Sequence, residues 1–409
     1  MYECRKRNAT GRIHMKKQQN DSNNHTPLEF LEFFAGGGLA RLGLGKNWRC
    51  AFANDFSPKK AMAYRENFGG APELVVDDVW KIDPGKIPGG PSLAWASFPC
   101  QDLSLAGNGK GLDAERSGSF WGFWQVIQNL RMDGRQVPLI VLENVVGLLD
   151  SKQGSDFNRI CQALADGGYF FGAMVIDAVK FLPQSRPRLF IVAISKSADI
   201  DKSLFSAVPE RPWHTDKIFA AYEKLTSNQK EHWIWWSLPA PTQRKTTLVD
   251  LIEEEPFLVS WHSHVETEKI LGQMTRLNLE KVREAQYAGS KQIGTVYRRT
   301  RAEDGIKLQR TEVRFDGISG CLRTPIGGSS RQIVIVVEKK SIRTRLLSPR
   351  EAARLMGVSD SYVLPNNYND AYHIMGDAVA VPVVGWLEKH LLRPLAIQQT
   401  KIPAEVHHA

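Results

Sequence analysis

Residues 28–40 read Leu-Glu-Phe-Leu-Glu-Phe-Phe-Ala-Gly-Gly-Gly-Leu-Ala. The apolar residues predict a buried strand over 28–34, and the glycines predict a turn into a short helix through Leu42. Glycines let backbone amides approach a ligand closely, and the N-terminus of a helix favours a negatively charged group. Because no Lys-Ser or Lys-Thr pair follows the glycines, the turn is not expected to cradle the phosphates of ATP.

The alternation of strand and helix continues along the chain. Apolar runs predict further strands at residues 49–53, 74–76, 93–98, 139–142 and 190–194, separated by helical stretches. Strands that alternate with helices imply a parallel sheet covered on both faces. The sequence therefore predicts an α/β fold with a doubly wound, mostly parallel sheet.

Reactive side chains occur at the ends of three predicted strands. Pro99 and Cys100 follow one strand, Glu143 follows the next, and Arg186 and Arg188 precede a third. Each has a structural alternative: a buried inert thiol, a carboxylate satisfied by backbone amides, and guanidiniums in structural ion pairs. At one edge of an α/β sheet, however, this set suits nucleophilic attack on an electron-poor ring whose negative charge must be held.

Two acids follow neighbouring predicted strands near the glycine turn. Asp55 ends the second strand, and Asp78 is expected to end the third. A carboxylate at the first position binds ribose hydroxyls in folds of this kind, and the second lies where an adenine is expected. Together with the glycine turn, the acids predict a nucleoside cofactor, whereas the turn alone could be only a tight loop.

Composition limits the class of protein. The 409 residues are 42% apolar and 24% charged, which predicts a normal globular core. The five cysteines, Cys4, Cys50, Cys100, Cys161 and Cys321, form no Cys-x-x-Cys pair, so we expect a reduced, cytoplasmic protein without a metal site. No apolar run approaches the roughly 18 residues of a membrane span, and no signal peptide is expected.

The net charge of +9 is concentrated in two places. Residues 1–20 carry six Lys/Arg and one acid, and residues 276–331 carry twelve Lys/Arg and six acids. The second cluster lies in a folded-looking region, which indicates a face for a polyanion such as nucleic acid. The alternative is an ordinary solvated surface.

The pattern divides the chain into five segments. We expect a disordered basic tail at 1–26, partly vector-derived, and a C-terminal tail at 399–409. Between them we expect a catalytic domain at 27–195, a smaller irregular or β-rich domain at 196–335, and a return to the catalytic domain at 336–398. A helix is predicted to begin after Ser348, with Pro349 in its first turn and Glu351 completing a capping box. The tryptophans of the second segment are expected to be core residues rather than stacking platforms for bases.

Six motifs of the chain resemble those of DNA cytosine-5 methyltransferases of the bacterial or phage modification type, and they occur in that family's order. They are Phe34-x-Gly36-x-Gly38, Pro99-Cys100-Gln101, Glu143-Asn144-Val145, Gln184-x-Arg186-x-Arg188, the helix region 345–357, and the segment 376–383. Three positions depart from the family's usual residues. Leu39 replaces a glycine, Asp377 an asparagine and Asp55 a glutamate.

The resemblance implies a class I, Rossmann-like methyltransferase domain with a smaller target-recognition domain. It implies S-adenosyl-L-methionine as cofactor, S-adenosyl-L-homocysteine as product, and double-stranded DNA as partner. We also expect a monomer that does not bind membranes and has a functional link to a nuclease or defence system. The cofactor-binding residues implied are Phe34, Ala35, Gly36, Gly38, Leu39, Asp55, Phe56, Asp78, Val79, Pro99, Asp377, Ala378 and Val379.

The resemblance also implies roles in catalysis and DNA binding. Cys100 attacks C6 of cytosine, Glu143 contacts N3 and the exocyclic amine, Arg188 holds O2, and Arg186 supports the pocket. The cytosine must be flipped out of the duplex, and the loop from Gln101 is expected to clamp it. The DNA-binding residues implied are Gln101, Ser104, Lys110, Arg298, Arg299, Arg301, Arg323 and Arg331, with Arg310 and Arg314 as further candidates.

Two other functions remain open at this point. A tRNA cytosine-5 methyltransferase would share the fold, although the roughly 140-residue second domain favours a protein that reads a DNA groove. A catalytically silent DNA-binding or regulatory subunit would also share it, although the intact Cys100, Glu143 and Arg188 favour an enzyme.

Overall fold

The computed structural model describes residues 27–99, 118–303, 306–324 and 331–400. Within these residues one main sheet contains β1 (Leu28–Phe33), β2 (Trp48–Asp55), β3 (Leu74–Val76), β4 (Leu93–Ala96), β5 (Leu139–Val145), β6 (Tyr169–Asp177) and β7 (Pro187–Ser195). Their order is β3-β2-β1-β4-β5-β7-β6. The strands β1 to β5 are parallel, while β7 is antiparallel to both β5 and β6. The predicted doubly wound, mostly parallel sheet is confirmed.

Helices cover both faces of the main sheet. The first four are α1 (Leu39–Leu44), α2 (Pro58–Asn67), α3 (Ser119–Met132) and α4 (Ser155–Asp166). Successive residues of a strand point to opposite faces, so Phe30 packs in one hydrophobic cluster and Leu31 in the other. Burial on both faces explains the nearly continuous apolar strands of the sequence. Among the described residues, no helix is long and apolar enough to cross a bilayer.

The sequence pattern did not predict β6, which lies at one edge of the main sheet. Gly172 lies inside this strand, and glycine is unfavourable in strands, so the sequence around it is not typical of one. The glycine is required by packing, because a Cβ there would lie 1.9 Å from the carbonyl oxygen of Ile234. The backbone on either side of that contact is hydrogen-bonded, with Phe171 N–H donating to His232 O and Ile234 N–H donating to Phe171 O.

The antiparallel course of β7 has a consequence for the predicted site. The first residues of β7 lie beside the last residues of β5, so that Arg188 pairs with Val145 and Phe190 with Glu143. Arg188, at the start of β7, and Glu143, near the end of β5, therefore lie at the same edge of the main sheet.

Residues 205–287 contain more helix than the irregular or β-rich pattern predicted. They form β8 (Phe205–Ser206), α5 (Asp216–Glu223), α6 (Ser227–Glu231), β9 (Trp235–Trp236), α7 (His264–Gly272) and α8 (Arg276–Tyr287). Trp213, Trp235 and Trp236 are buried, which confirms the core assignment for these tryptophans. Trp236 also donates its indole N–H to Val192 O in β7, so the start of this segment packs on the main sheet.

A second, small sheet follows, with the order β11-β10-β12-β13. Its strands are β10 (Gln292–Glu303), β11 (Ile306–Arg314), β12 (Ile333–Glu338) and β13 (Ser341–Leu346), all antiparallel to their neighbours. A separate apolar cluster packs this sheet against α7 and α8. The expected boundary at 335/336 falls inside β12, and a boundary after 346 would keep the small sheet whole. The domain limits stay a prediction.

The chain then returns to the main sheet through α9 (Pro349–Leu355), α10 (Tyr368–Asp377), α11 (Val381–Leu387) and α12 (Arg393–Thr400). The predicted capping box of α9 is confirmed, with Ser348 and Glu351 bonding each other's backbone N–H groups. Glu351 also pairs with the fully buried Arg345 at 2.6 Å. These helices pack closely on α1, because a Cβ at Gly43 would lie 2.3 Å from Val384.

Candidate active site

A carboxylate and a guanidinium meet at the edge of the main sheet where β5 ends and β7 begins. Arg188 Nε lies 3.2 Å from Glu143 Oε1, and the two side chains are only 14% and 7% exposed. Arg188 also donates a hydrogen bond to Pro187 O at 2.9 Å. The structure therefore brings together two of the predicted catalytic residues, Glu143 and Arg188, in direct contact and largely buried.

Arg186 is buried beside this pair and connects segments that are distant in sequence. Its guanidinium donates to Leu322 O at 2.9 Å, to Gly376 O at 2.8 Å and to Ala378 O at 2.5 Å. Burial lowers the pKa of Arg186, and the neighbouring Arg188 charge lowers it further. Because both of its Nη groups donate to backbone carbonyls, Arg186 is placed to support the site rather than to grip a ligand.

Cys321 contacts both guanidiniums and was not predicted as a site residue. Its Sγ lies 3.4 Å from Arg186 Nη1 and 4.0 Å from Arg188 Nη2. Burial raises the pKa of this thiol, but the charges of Arg186 and Arg188 outweigh burial and hold the pKa below its usual value. More than 130 residues separate Cys321 from these arginines in sequence, so only the fold brings them together.

The segment that leads to Cys100 is fixed to the same edge. Asn144, next to Glu143, donates its side-chain amide to Phe98 O at 3.1 Å. Pro99 follows and is partly exposed. Cys100, Gln101, Ser104 and Lys110 lie outside the described residues, so their predicted roles stay predictions. We call Pro99, Glu143, Arg186 and Arg188 the strand-end cluster.

The glycine turn after β1 has an unusual backbone. Phe34 adopts a φ of 57°, a left-handed conformation that costs a non-glycine residue on the order of 1–3 kcal/mol. Gly36 and Gly38 also have positive φ. Gly37 must lack a side chain, because a Cβ there would lie 2.5 Å from Ile374 and 2.7 Å from the Tyr362 hydroxyl. Strain of this kind is typical of a functional loop.

The acid after β2 holds the glycine turn in place. Asp55 is 5% exposed, and its two carboxylate oxygens accept the backbone N–H groups of Gly36 and Ser57, each at 2.8 Å. Carboxylate oxygens have further lone pairs, so these bonds leave capacity for a ligand hydroxyl. The structure thus joins Asp55 to the glycine turn, as the predicted nucleoside site requires.

An exposed ring and a second acid lie at the same edge. The side chain of Phe56, directly after Asp55, is 70% exposed and is therefore accessible to a ligand. Asp78 lies two residues beyond β3, not at its end as predicted, because its side chain caps a short 3₁₀ turn by accepting the Trp80 N–H. Val79 is buried beneath it. The strained turn, Asp55, Phe56 and Asp78 fit a ligand with a ribose and a purine ring.

Other predicted cofactor residues take part through their backbone or packing. Ala35, Leu39 and Val379 are buried, and Gly38 precedes the first turn of α1. Asp377 ends α10, and Ala378 gives its carbonyl to Arg186. The return segment therefore adjoins both the strand-end cluster and the glycine turn.

Glu32, in the middle of β1, is a buried acid that sequence reasoning missed. It is 1% exposed and accepts hydrogen bonds from the Tyr64 hydroxyl at 2.8 Å and from the Arg41 N–H at 3.2 Å. Burial raises the pKa of Glu32 to about 7. The signal available in the sequence was a glutamate within an otherwise apolar strand.

Arginines predicted to bind DNA separate by face in the small sheet. Directly opposite residues of an antiparallel pair share a face, and Arg299 lies opposite Arg310, while Tyr297 lies opposite Glu312. Alternation along the strands places Arg301 and Arg314 on that side and Arg298 on the other. We call Arg299, Arg301, Arg310 and Arg314 the arginine face.

One carboxylate organises part of the arginine face. Glu312 accepts hydrogen bonds from Arg301 and from the Tyr297 hydroxyl, and Arg299 Nε lies 3.8 Å away. A cleft of about 650 Å³ beside it is lined by Arg301, Arg310 and Arg314 and by Thr275 and Lys281 at α8. Four cationic side chains and the two acids Glu312 and Asp316 line the cleft, so its charged groups are mostly positive.

The two remaining predicted arginines lie near the return segment. Arg323 is exposed, two residues after Cys321. Arg331 bonds the Asn369 side chain, and its guanidinium lies 5.3 Å from the centre of the Tyr368 ring, so it is anchored to the first turn of α10. These residues are therefore apart from the arginine face and closer to the main sheet.

Comparison with known proteins places the chain in a family. A sequence profile of the C-5 cytosine-specific DNA methylases matches residues 28–393. The chain is 25% identical over 398 residues to the type II methyltransferase M.HpaII of Haemophilus parainfluenzae, covering 92% of each chain. It is 23% identical over 368 residues to M.HhaI of Haemophilus parahaemolyticus, covering 88% of this chain and 93% of that one.

Among solved structures, the Entamoeba histolytica methyltransferase EhMeth has the same fold. It superposes with a TM-score of 0.60 at 14% identity, covering 92% of this chain and all of that one. The motifs, the fold and the profile agree over nearly the whole described chain. The chain therefore belongs to the C-5 cytosine-specific DNA methylases, enzymes that take their methyl group from S-adenosyl-L-methionine.

Proposed function

We propose that the protein methylates C5 of a cytosine flipped out of a specific duplex DNA sequence, through a covalent bond between Cys100 and C6. The observation that carries this proposal is the 3.2 Å contact between Arg188 and Glu143 at the edge to which Asn144 ties the Phe98-Pro99 segment. The next residue in the sequence is Cys100. An acid, a guanidinium and the chain leading to a thiol thus converge on one place.

Each group has a defined task on the ring. The Cys100 thiolate forms a bond to C6, and the electron pair of the C5–C6 double bond moves toward C5. Glu143, in its protonated form, donates a hydrogen bond or proton to N3, and Arg188 holds O2 as negative charge develops there. Bound S-adenosyl-L-methionine supplies the methyl group that C5 accepts. Loss of the C5 proton to water restores the double bond and expels the Cys100 thiolate.

Asp55, Phe56, Asp78 and the glycine turn would hold the adenosyl cofactor. A stacked base cannot reach the strand-end cluster, so flipping must precede the reaction at a cost of a few kcal/mol. The arginine face supports the proposal that the small sheet contacts the duplex, because guanidiniums bind phosphates and read guanine in the major groove.

A trapping experiment tests the covalent mechanism. Duplex DNA with 5-fluorocytosine at the target should form a stable adduct with the wild-type protein, since the absent C5 proton blocks release of Cys100. Cys100→Ala should form no adduct and should lose methyl transfer. Methyl transfer that persists in Cys100→Ala would refute the mechanism, and absence of any adduct with the wild type would favour a silent binding subunit.

The substrate class is tested by comparing methyl incorporation into duplex DNA and into tRNA. We expect incorporation into duplex DNA only, because the small sheet offers an arginine face suited to a groove. Preferred incorporation into tRNA would contradict the proposal. The experiment needs DNA that contains many sequences, such as unmethylated bacterial genomic DNA, because the recognition sequence is not known beforehand.

We further propose that the methylation protects host DNA from a nuclease or another defence system, and that the protein acts in the cytoplasm as a monomer. The type II methyltransferase names of the relatives support the first part. Sequencing 5-methylcytosine in the DNA of cells that express the protein should find one short sequence motif fully methylated. Scattered methylation without a motif would contradict this role.

A further inference from the structure

Asp377, at the end of α10, is held by residues from two distant parts of the chain. Lys60 Nζ lies 2.7 Å from its Oδ2, and the Thr324 hydroxyl donates to its Oδ1. The side chains of Lys60 and Asp377 are 24% and 37% exposed. An ion pair is stronger than an open surface pair when it is partly shielded from water and when its carboxylate also accepts a hydrogen bond from another group.

The backbone around Asp377 is fixed as well. Arg186 binds the carbonyl oxygens of Gly376 and Ala378, the residues on either side. A Cβ at Gly376 would lie 3.1 Å from the Thr324 backbone nitrogen, so the two segments are packed closely. The carboxylate of Asp377 therefore has little freedom to turn away from Lys60.

The backbone of Lys60 is also linked to the acid of the proposed ribose site. It lies in the first turn of α2, where its N–H donates to Ser57 Oγ at 3.4 Å, and the Ser57 N–H donates to Asp55 Oδ1 at 2.8 Å. Burial lowers the pKa of Lys60, but the charges of Asp377 and Asp55 outweigh burial and raise it. The Lys60 ammonium thus pairs directly with Asp377, while the backbone of the same helix turn is tied through Ser57 to Asp55.

We propose that Lys60 is a positioning residue for the adenosyl cofactor, which neutralises Asp377 and ties the turn 376–379 to the helix that follows Asp55. This inference rests on the proposed function, since it assumes that the two segments border the cofactor. It also accounts for a departure from the family's pattern. Asparagine, the usual residue at this position, needs no counter-charge, whereas Asp377 needs the one that Lys60 supplies.

The chain contains a matched control for this ion pair. Lys59, the neighbour of Lys60, pairs with Asp370 at 2.9 Å and joins the same two helices, α2 and α10. Lys59 is 73% exposed and Asp370 lies near the start of α10, away from the turn 376–379. Loss of this pair removes a contact between the same helices without leaving a carboxylate unpaired at that turn.

The test is calorimetric binding of S-adenosyl-L-homocysteine to the full-length protein without DNA. Lys60→Met should weaken binding about tenfold, because removing one partner of a close pair leaves the other charge uncompensated. Lys59→Met should change binding less than about twofold. The double variant Lys60→Met/Asp377→Asn should recover most of the loss, as should Lys60→Arg. Thermal unfolding of the cofactor-free variants checks that each is folded.

Each outcome bears on the proposal. Wild-type affinity in Lys60→Met, or an equal loss in Lys59→Met, would overturn it, and so would a double variant that binds as weakly as Lys60→Met. Methyl transfer provides a second measurement, in which Lys60→Met should raise KM for S-adenosyl-L-methionine more than it lowers kcat. A wild-type protein that binds S-adenosyl-L-homocysteine but methylates no duplex DNA would contradict the proposed function while the Lys60 comparison still stands.

Discussion

The strand-end cluster and the arginine face both use arginines, but they bury them to very different degrees. Arg186 is 1% exposed and Arg188 14%, whereas Arg299 and Arg301 are 47% and 49% exposed. Arg186 and Arg188 bind groups from several segments of the chain, namely β5, the residues after Cys321 and the end of α10. The exposed pair shares one carboxylate, Glu312, on a neighbouring strand.

This difference predicts two kinds of response to mutation. A buried guanidinium that binds backbone carbonyls fixes the relative positions of those segments, so its loss should affect the whole site at once. An exposed ion pair contributes little to stability and is readily exchanged for a phosphate. The arginine face is therefore available to a polyanion, and its effects should be graded and dependent on salt.

The largest effect should come from Glu143→Gln in the strand-end cluster. The amide cannot give a proton to N3, so the rate of methyl transfer should fall by roughly 10²–10⁴-fold. Single-turnover transfer of labelled methyl to duplex DNA measures this. Asp216→Asn, at an exposed carboxylate paired with Arg211, serves as the control. A Glu143→Gln enzyme within tenfold of the wild type would show that the carboxyl group is not needed on the ring.

Arg186→Met should have the next largest effect, and on stability rather than on chemistry alone. It leaves the carbonyls of Leu322, Gly376 and Ala378 without their buried donor, which should lower the free energy of unfolding by about 3 kcal/mol. Urea unfolding measures the change. Arg299→Met, on the arginine face, should leave the unfolding midpoint nearly unchanged. Equal midpoints for the two variants would remove the distinction between the regions.

Glu32, a buried acid in the strand that leads into the glycine turn, extends the comparison to a third site. The pKa of Glu32 is about 7 in the folded protein, above its ordinary value of 4.5. The folded state therefore binds this proton more tightly than the unfolded chain. The free energy of unfolding should fall as pH rises from about 4.5 to about 7, by about 3 kcal/mol, and should level off above that range.

Glu32→Gln should remove this component, because the amide does not titrate. Urea unfolding at about pH 5 and about pH 7.5 should show a larger loss of stability for the wild type than for Glu32→Gln. Glu29→Gln, on the same strand but in a surface pair with Arg49, is the matched control and should follow the wild type. Parallel pH dependence in all three proteins would show that Glu32 titrates normally.

Much of the strand-end cluster could be predicted because its residues follow the rule of α/β sheets. Glu143 follows the four apolar residues Leu139–Leu142 and lies near the end of β5, and the edge at which such strands end is where ligands bind. The capping box at Ser348 and Glu351 is also a local feature, since its residue types and their spacing are sufficient to predict it. Features that depend on a few adjacent residues are therefore the ones that sequence alone predicted correctly.

The contacts that were missed join residues far apart in sequence. Cys321 meets Arg186 and Arg188 only because the chain returns from the small sheet to the main one. Lys60 meets Asp377 across 317 residues. The division of Arg298 from Arg299 was accessible in principle, since alternate residues of a strand face opposite sides. The basic composition of residues 276–331 does not by itself show where the strands begin, and so it does not show which arginines share a face.

The smallest effects should come from single substitutions in the arginine face. Arg299→Ala, Arg301→Ala and Arg310→Ala should each weaken duplex binding only a few-fold and lower the slope of log affinity against log salt by about 1. Fluorescence anisotropy with a duplex, measured at several salt concentrations, gives both quantities. Arg298→Ala, on the opposite face of the small sheet, should change the slope less.

Arg211→Ala provides the control outside the small sheet, since Arg211 is exposed and pairs with Asp216. Additive losses of slope across the three arginines, with no loss for Arg211, would mean that each releases its own counterion on binding. Unchanged slopes would place the duplex on another surface. A single substitution that abolished binding at every salt concentration would instead mean that the arginine face behaves like the strand-end cluster, with partners shared so closely that no residue acts alone.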